Sequence, residues 1–383
     1  MSDRIYMDNA ATTAVRPEVL ARMLPLFGEN YGNASSVHAT GREARRVLEN
    51  ARRQCAQALN AKENEIYFTS CGTESDNWAL IGAAFALKEK GDHIITSKIE
   101  HPAVLRTCEW LEKQGFHVTY IGVDQNGLVD PDEIEKAITD RTILISIMTA
   151  NNEIGTIQPV SRIGAIAHER GILFHTDAVQ AAGAIPIDPT GWGADLISLS
   201  GHKFNGPKGT GLIYIRSGTH IERFMRGGEQ ERGMRAATEN VPGIAGMAEA
   251  LQLSVNEMEE TSLRIMMMRD RMIRELTCIP GSRLNGHSMQ RLPGNIHLSF
   301  EGIEGEALLL RLDLCGIAAS SGSACTSGSI EASHVLKAIG LSDDMARGSI
   351  RLSLGKMNTE EEADEVIRVL PKIVEDLRRM TRG

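Results

Sequence analysis

The chain has 383 residues, enough for two domains, and 42% hydrophobic and 24% charged residues give it an ordinary globular composition. The formal net charge of −9 argues against general nucleic-acid binding, which needs clustered Lys and Arg. The N-terminus lacks a basic start before an apolar run, and no window approaches about 18 consecutive apolar residues, so we expect neither a secretory signal nor a membrane helix. Six cysteines without a C-x-x-C pair argue against structural zinc and predict a reduced, cytoplasmic protein whose thiols mostly lie in the core.

Between about residues 60 and 215, short β-branched runs alternate with helical patterns. This alternation predicts an α/β fold with a mainly parallel sheet covered by helices on both faces. The predicted strands are seven: 65–69, 93–96, 117–121, 142–147, 172–175, 195–199 and 212–215.

After residue 241 the pattern changes to one long, methionine-rich helical stretch at 242–276, then strands at 295–300 and 350–354 and helices at 305–314 and 359–380. This half predicts a smaller α+β domain. We place the large domain at 16–255 and the small domain at 1–15 plus 256–383. A Ser/Gly-rich loop at about 320–330 is expected to be mobile.

Several polar residues follow predicted strands, at the sheet edge where open parallel sheets bind ligands. Gly72 and Thr73 open a helix and suit a phosphate, although Thr73 with Asp76 by itself more often indicates a helix cap. Lys203 lies in a Gly-rich turn with Ser200 and His202, where it could form a Schiff base with an aldehyde cofactor.

Two further strand ends carry candidates. Asp177 could hold a cationic ring nitrogen, with Gln180 three residues on, or it could cap a helix. His101, just before Pro102, could stack on a flat cofactor or move protons, or it could be a structural histidine.

The second half of the chain adds a cysteine and an arginine. Cys325 lies in the polar run SSGSACTSGS rather than in an apolar periodic stretch, which favours a reactive thiol. Arg351 could clamp a substrate carboxylate with two hydrogen bonds or form a surface ion pair.

The chain resembles the cysteine desulfurases, which are pyridoxal-phosphate enzymes of the aminotransferase-like fold (fold type I, class V), and within them the NifS-like, nitrogen-fixation branch. The resemblance spans nearly the whole chain and rests on the runs YMDNAATT, GNASSVH, FTSCGTESDN, EHPAV, ANNEIG, HTDAVQ, SGHKFNGPKG, GGEQERG, TENVPG and SSGSACTSG.

The resemblance implies a role for each candidate. Lys203 would bind pyridoxal 5'-phosphate covalently, Asp177 would pair with its ring nitrogen, Gln180 would contact its ring oxygen, and His101 would stack on the ring and take part in proton transfer. The phosphate would be held by Gly72, Thr73, Ser200 and His202, and by Thr238 from the partner subunit of a homodimer. Asn152 would contact the bound substrate, Arg351 with Asn33 would hold its carboxylate, and Cys325 would accept its sulfur.

The implied reaction converts L-cysteine to L-alanine and leaves a persulfide on Cys325 for an iron–sulfur scaffold protein. No metal is expected to bind stably, although Cys325 could ligate a cluster transiently with that scaffold. Selenocysteine lysis, transamination and a non-catalytic sulfur-carrier role are the alternatives. One departure concerns Ala236-Ala237 before Thr238, where relatives have a small residue followed by Gly, so the Thr238 turn is expected to differ.

Overall fold

A computed structural model describes residues 4–321 and 332–382 of the chain, and its largest element is a seven-stranded sheet. A short strand β1 (Ile5–Tyr6) precedes the sheet, which consists of β2 (Ile66–Thr69), β3 (His93–Ser97), β4 (His117–Ile121), β5 (Thr142–Ser146), β6 (Leu173–Asp177), β7 (Leu196–Ser200) and β8 (Gly211–Ile215). The strand order is β2-β8-β7-β6-β5-β3-β4, and β8 alone runs antiparallel to its neighbours. The predicted mainly parallel, seven-stranded sheet is confirmed.

Helices cover both faces of this sheet. They are α1 (Pro17–Met23), α2 (Pro25–Gly28), α3 (Ala39–Ala58), α4 (Gly72–Ala86), α5 (Pro102–Lys113), α6 (Pro131–Ala137), α7 (Val160–Glu169) and α8 (Val241–Asn256). Because successive strand residues point to opposite faces, Phe174 packs with α3 and α8, whereas Leu144 and Leu196 pack beneath Trp78 of α4. The chain between β8 and α8 and the turns after β7 contain short 3₁₀ helices.

A second sheet and its helices follow α8. Their elements are α9 (Met258–Leu276), β9 (Ser282–Leu284), β10 (Asn295–Phe300), α10 (Gly305–Leu314), β11 (Ile317–Ala318), α11 (His334–Ala338), α12 (Asp343–Arg347), β12 (Ser349–Ser353) and α13 (Glu360–Arg382). The sheet order is β12-β10-β9, and β1 pairs in parallel with β11. This part has its own apolar core, which also takes in Met7 from the N-terminal segment. The exact domain boundaries stay a prediction.

The predicted single helical stretch at 242–276 is wrong at Glu257. Here α8 ends and α9 begins, because Glu257 accepts hydrogen bonds from Arg16 at 2.6 and 3.1 Å and also binds Lys356. α8 then packs into the core of the large sheet and α9 into that of the small sheet.

The burial of the cysteines differs in part from the sequence expectation. Cys55 and Cys108 are buried as expected, but Cys71 is half-buried and Cys278 and Cys315 are exposed, so the prediction that most thiols are core residues is wrong for the cysteines that the structure describes. Within residues 4–321 and 332–382, no group of His, Cys, Asp and Glu side chains could hold a metal ion. No helix in those ranges is long and apolar enough to cross a membrane.

Candidate active site

Polar side chains collect where β6 and β7 end, at one edge of the large sheet. Asp177 is the last residue of β6 and Ser200 the last of β7. A 3₁₀ turn, Gly201–Lys203, follows β7 directly and places Lys203 beside them. Because the two strands are parallel neighbours, their C-terminal residues meet at the same edge. The fold therefore brings the predicted lysine and carboxylate together.

The N-terminal segment lies over Lys203. The Nζ of Lys203 donates to the carbonyl oxygens of Ala10 and Ala11, at 2.7 and 2.8 Å. The Nε2 of Gln180 donates to the same Ala10 oxygen at 3.0 Å. Lys203 and Gln180, predicted to contact one cofactor, thus share a backbone partner. These two carbonyl groups hold the ammonium at the sheet edge. A covalent bond to Nζ would take the place of these hydrogen bonds.

Asp177 is a buried carboxylate at the end of β6, and a turn rather than a helix follows it, so its alternative as a helix cap is wrong. Its Oδ1 accepts a hydrogen bond from the Val179 amide at 2.9 Å. Burial raises the pKa of Asp177, and the Val179 amide and the charge of Lys203 act against this rise. A cation placed beside Asp177 would complete the compensation of its negative charge.

His101 combines a structural and a site position. It is the N-cap of α5, where its Nδ1 accepts from the Ala103 amide at 3.1 Å, so the structural interpretation holds for that nitrogen. Burial lowers its pKa, with Asp177 pulling in the opposite direction and Lys203 and His334 adding to the lowering. A neutral ring that accepts at Nδ1 carries its proton on Nε2, the nitrogen left to act in the site.

The start of α4 forms a cradle that suits a phosphate. A Cβ on Gly72 would lie 2.7 Å from Val179 Cγ2 and 3.4 Å from Ser200 Cβ, so only glycine permits this approach. The Ser200 hydroxyl is buried and has no hydrogen-bond partner in the described part of the chain. An unsatisfied O–H donor beside the free amides of a helix N-terminus is the donor set that a phosphate requires.

Two other cradle residues behave differently. Thr73 is exposed and does not cap the helix. The N-cap of α4 is Cys71, whose Sγ accepts a hydrogen bond from the Glu74 amide. The capping interpretation of Thr73 is therefore wrong. His202 hydrogen-bonds Thr12 through Nδ1 at 3.1 Å. Burial and the nearby charge of Lys203 lower the pKa of His202 to about 4, so the ring is neutral.

Arg351 is buried on β12 at 2% exposure, so its interpretation as a surface ion pair is wrong. Its Nη2 donates to Asp8 Oδ1 at 3.0 Å and to Ser320 Oγ at 2.8 Å. Its Nη1 donates to the carbonyl oxygen of Asn152 at 2.8 Å. The predicted substrate residues Arg351 and Asn152 are thus in contact, through the backbone of Asn152.

The remaining candidates are not joined to this group by any contact among the described residues. Thr238 and Asn33 are exposed, and the Asn33 side chain accepts from the Ser35 amide at 2.8 Å. Ala237, before Thr238, adopts a φ of +106°, so the alanine takes the conformation that glycine would favour. Cys325 lies outside the described residues, and its role stays a prediction.

Sequence reasoning missed three residues of the site: Asp8, Ala10 and Ser320. Asp8 and Ala10 belong to the run YMDNAATT, which carried the resemblance without a role for any member. Two adjacent polar residues, Asp8 and Asn9, between apolar Met7 and small alanines were the available signal. Ser320 had none, because its contact with Asp8 joins positions 312 residues apart.

The aminotransferase class-V family matches residues 5–366 of the chain. The chain belongs to this family. It is 57% identical to cysteine desulfurase IscS of Methanosarcina thermophila over 98% of this chain and 93% of that protein. It is 52% identical to cysteine desulfurase IscS of Clostridium botulinum, over 100% of this chain and 97% of that protein. A solved NifS-like protein superimposes with a TM-score of 0.93 at 41% identity, covering 98% of this chain and 100% of that one.

These similarities confirm the expected resemblance to the cysteine desulfurases and the aminotransferase-like fold. Members of the family are pyridoxal-phosphate enzymes. The residues present fit that cofactor, since Ser200 and Gly72 suit its phosphate, Asp177 its ring nitrogen, and Lys203 its aldehyde. The individual residue roles stay predictions.

Proposed function

We propose that this chain is a pyridoxal-phosphate-dependent cysteine desulfurase that takes sulfur from L-cysteine and releases L-alanine. The observation that carries the proposal is the position of the Lys203 Nζ at the edge where Asp177 and Ser200 end their strands. The bound cofactor supplies an electron sink, which weakens the bonds at the substrate Cα.

Lys203 is the residue we assign to covalent attachment and then to proton transfer. When it is not bonded to the cofactor, the Nζ amine would be a free base that could move a proton at the substrate Cα. The carbonyl oxygens of Ala10 and Ala11 keep the amine at this edge rather than letting it swing into solvent.

Asp177 and His101 set the charge around the ring. Asp177 would hold the ring nitrogen of the cofactor in its protonated form, because a cation there would relieve the cost of a buried carboxylate. His101 covers the site from the start of α5 as a neutral ring that can give or take a proton at Nε2.

Arg351 is assigned to the substrate carboxylate. Its guanidinium is fixed by Asp8, Ser320 and the Asn152 backbone, so its orientation is set before substrate arrives. A planar guanidinium held in one orientation favours an α-carboxylate over other anions.

Cys325 is proposed as the sulfur acceptor. Its thiolate attacks the substrate sulfur, a new S–S bond forms as the substrate C–S bond breaks, and the carbon fragment takes up protons to become alanine. The persulfide then passes to an iron–sulfur scaffold protein, the acceptor that the resemblance implies.

The proposal includes that the chain forms a homodimer and acts in the cytoplasm. Its support is an apolar surface around Asn33: Leu24, Phe27, Tyr31 and Val37 are between 59% and 88% exposed, which is unusual for such side chains in a monomer. Thr238, exposed on the same chain, would then serve the partner's phosphate site.

Purified protein with added cysteine tests the proposal. We expect a visible cofactor band that Lys203→Ala abolishes, and alanine released in step with enzyme-bound sulfur. Lys208→Ala, a change in the same Gly-rich turn, is the matched control and should keep the band. A Lys203→Ala protein that retained covalent cofactor would refute the assignment.

Cys325→Ala separates binding from sulfur transfer. This variant should keep the cofactor band yet form no persulfide, whereas Cys315→Ala, at an exposed thiol after α10, should behave as wild type. Normal alanine production by Cys325→Ala would remove this thiol from the reaction. A requirement for a keto acid would indicate transamination, and turnover restricted to selenocysteine would indicate selenocysteine lysis.

A further inference from the structure

A buried polar layer lies between α4 and the large sheet, directly behind the candidate active site. On the sheet face that α4 covers, the strands change from leucine to polar residues as they approach the active-site edge. Ser146, His175 and Ser198 follow Leu144, Leu173 and Leu196 by two positions on β5, β6 and β7. All three polar residues are fully buried.

His175 links this layer through both ring nitrogens. Its Nδ1 lies 2.8 Å from Ser146 Oγ, and its Nε2 lies 3.0 Å from Ser198 Oγ. Burial lowers the pKa of His175 to about 3, so the ring is neutral at any pH near 7. Ser198 is in register with Asp177 on the neighbouring strand, which places the layer next to the site carboxylate.

Asp76 enters the layer from α4, with 1% of its surface exposed. Its Oδ1 lies 3.6 Å from His175 Nε2, which is beyond hydrogen-bond reach and opposite an uncharged ring. That oxygen has no hydrogen-bond partner in the parts of the chain that the structure describes. An ionised carboxylate in a dry site needs a cation or several N–H donors, and Asp76 has neither.

Asp177, the second carboxyl here, has the compensating groups that Asp76 lacks. It accepts the Val179 amide and lies near the Lys203 ammonium, whose charge favours its ionised form. Two carboxyl groups in one dry site do not both ionise, and the better-compensated group takes the charge.

We propose that Asp76 is a positioning residue that stays protonated beneath Asp177, so that Asp177 alone carries the negative charge of the pair. A neutral acid at Asp76 does not repel the Asp177 carboxylate, whereas a permanent charge at Asp76 would drive a proton onto Asp177. The inference rests on the proposed function in one respect: the cation that Asp177 holds is the ring nitrogen of the proposed cofactor.

The charged and titratable neighbours of Asp76 act in the same direction. Burial raises the pKa of Asp76, and the charges of Asp177, Glu100 and Cys71 raise it further, while the Ser198 hydroxyl lowers it. Glu100, which follows β3, is itself a buried acid whose pKa burial raises to about 8. Any measurement must therefore distinguish Asp76 from Glu100.

Infrared spectroscopy of the full-length protein makes this distinction, because a protonated carboxylic acid has a C=O stretch that a carboxylate lacks. At pH 7 we expect this band in the wild type and its loss in Asp76→Asn. The Glu100→Gln variant, which removes a second buried acid with a raised pKa, is the matched control and should keep the Asp76 band. An Asp76-dependent band that is absent at pH 7 would overturn the proposal.

Asp177→Asn gives a second and independent readout. Removing the neighbouring charge should lower the pKa of Asp76 by roughly one to two units. The comparison is between the wild type and the variant, each after removal of the cofactor. An unchanged titration would mean that the two carboxyls are not coupled and would refute the inference. This arm decides the question even if Asp76→Asn does not fold.

Cofactor affinity extends the test beyond spectroscopy. Asp76→Asn replaces a neutral acid by a neutral amide of the same shape, so the dissociation constant for pyridoxal phosphate should stay within about twofold of wild type, whereas Asp177→Asn should weaken it by tenfold or more. Comparable losses in both variants would indicate that Asp76 acts as a carboxylate and would contradict the proposal. None of these readouts depends on desulfurase turnover, so failure of the proposed function leaves them interpretable.

Discussion

The guanidinium of Arg351 and the carboxylate of Asp8 form an ion pair with an Nη2–Oδ1 distance of 3.0 Å, and the arginine is 3% exposed while the aspartate is 19% exposed. The Ser320 hydroxyl bridges the two, donating to Asp8 Oδ1 at 2.8 Å and accepting from Arg351 Nη2. Three segments distant in sequence thus meet at one guanidinium. The pair joins the N-terminal segment to the strand that carries the predicted substrate clamp.

Asp8→Ala should destabilise the protein by about 3 kcal/mol, because it leaves a buried guanidinium without its counter-charge. The measurement is the free energy of unfolding in denaturant. Glu365→Ala removes the exposed partner of Arg368 and is the matched control, with an expected loss below about 1 kcal/mol. Equal losses in the two variants would show that the Asp8 pair does not hold the small sheet to the N-terminal segment.

Ala237→Gly should stabilise the protein by about 1 kcal/mol, since an L-residue at the observed φ of +106° is strained and glycine is not. Ala236→Gly is the neighbouring control and should destabilise the protein, because Ala236 is buried and is not among the residues with positive φ. Denaturant unfolding of the two variants measures both effects. A less stable Ala237→Gly protein would mean that the turn before Thr238 is not strained.

Gly72→Ala should weaken pyridoxal-phosphate binding by tenfold or more and cost about 1–3 kcal/mol of stability, because the added methyl would meet Val179 at 2.7 Å. Equilibrium titration of the cofactor and a melting curve give the two numbers. Gly28→Ala adds the same methyl to a helix end where nothing lies within 4 Å and should change neither. Full cofactor affinity in Gly72→Ala would exclude the cradle from phosphate binding.

Glu100 predicts a pH dependence of stability. Burial raises its pKa from 4.5 to about 8, so between these values the folded state keeps a proton that the unfolded state has lost. Stability due to this group therefore falls as pH rises from about 4.5 to about 8, by as much as roughly 5 kcal/mol.

Glu100→Gln should remove this fall, so its melting temperature should rise relative to wild type between pH 5 and pH 8. Glu133→Gln, at an exposed pair with Lys136, should shift the melting temperature equally little at both pH values. Parallel pH curves for wild type and Glu100→Gln would contradict the assignment of a buried, protonated Glu100.

The sequence was sufficient to predict the large sheet, because its strands are short β-branched runs whose ends carry the polar residues. Lys203 and Asp177 could be placed at one edge for the same reason: each directly follows or ends a strand. These are local signals, and the fold preserves them.

Other features depend on partners that are distant in sequence. The break at Glu257 comes from Arg16 and Lys356, and the ion pair of Arg351 joins positions 343 residues apart. No pattern within a helix or strand encodes such contacts. The cap of α4 was missed for another reason, since a thiol at Cys71 takes the place where a hydroxyl is the usual acceptor.

The N-terminal segment over Lys203 has a consequence for biosynthesis. Asn9 binds the backbone of Ser353 across 344 residues, and β1 pairs with β11. A ribosome therefore releases residues 5–9 long before Ile317 and Ser353 are made, whereas the contacts of Ala10, Ala11 and Thr12 with Lys203 and His202 need only the large sheet. The segment that lies over Lys203 is thus held at both of its ends only once β11 and β12 have been made, after every strand of the large sheet.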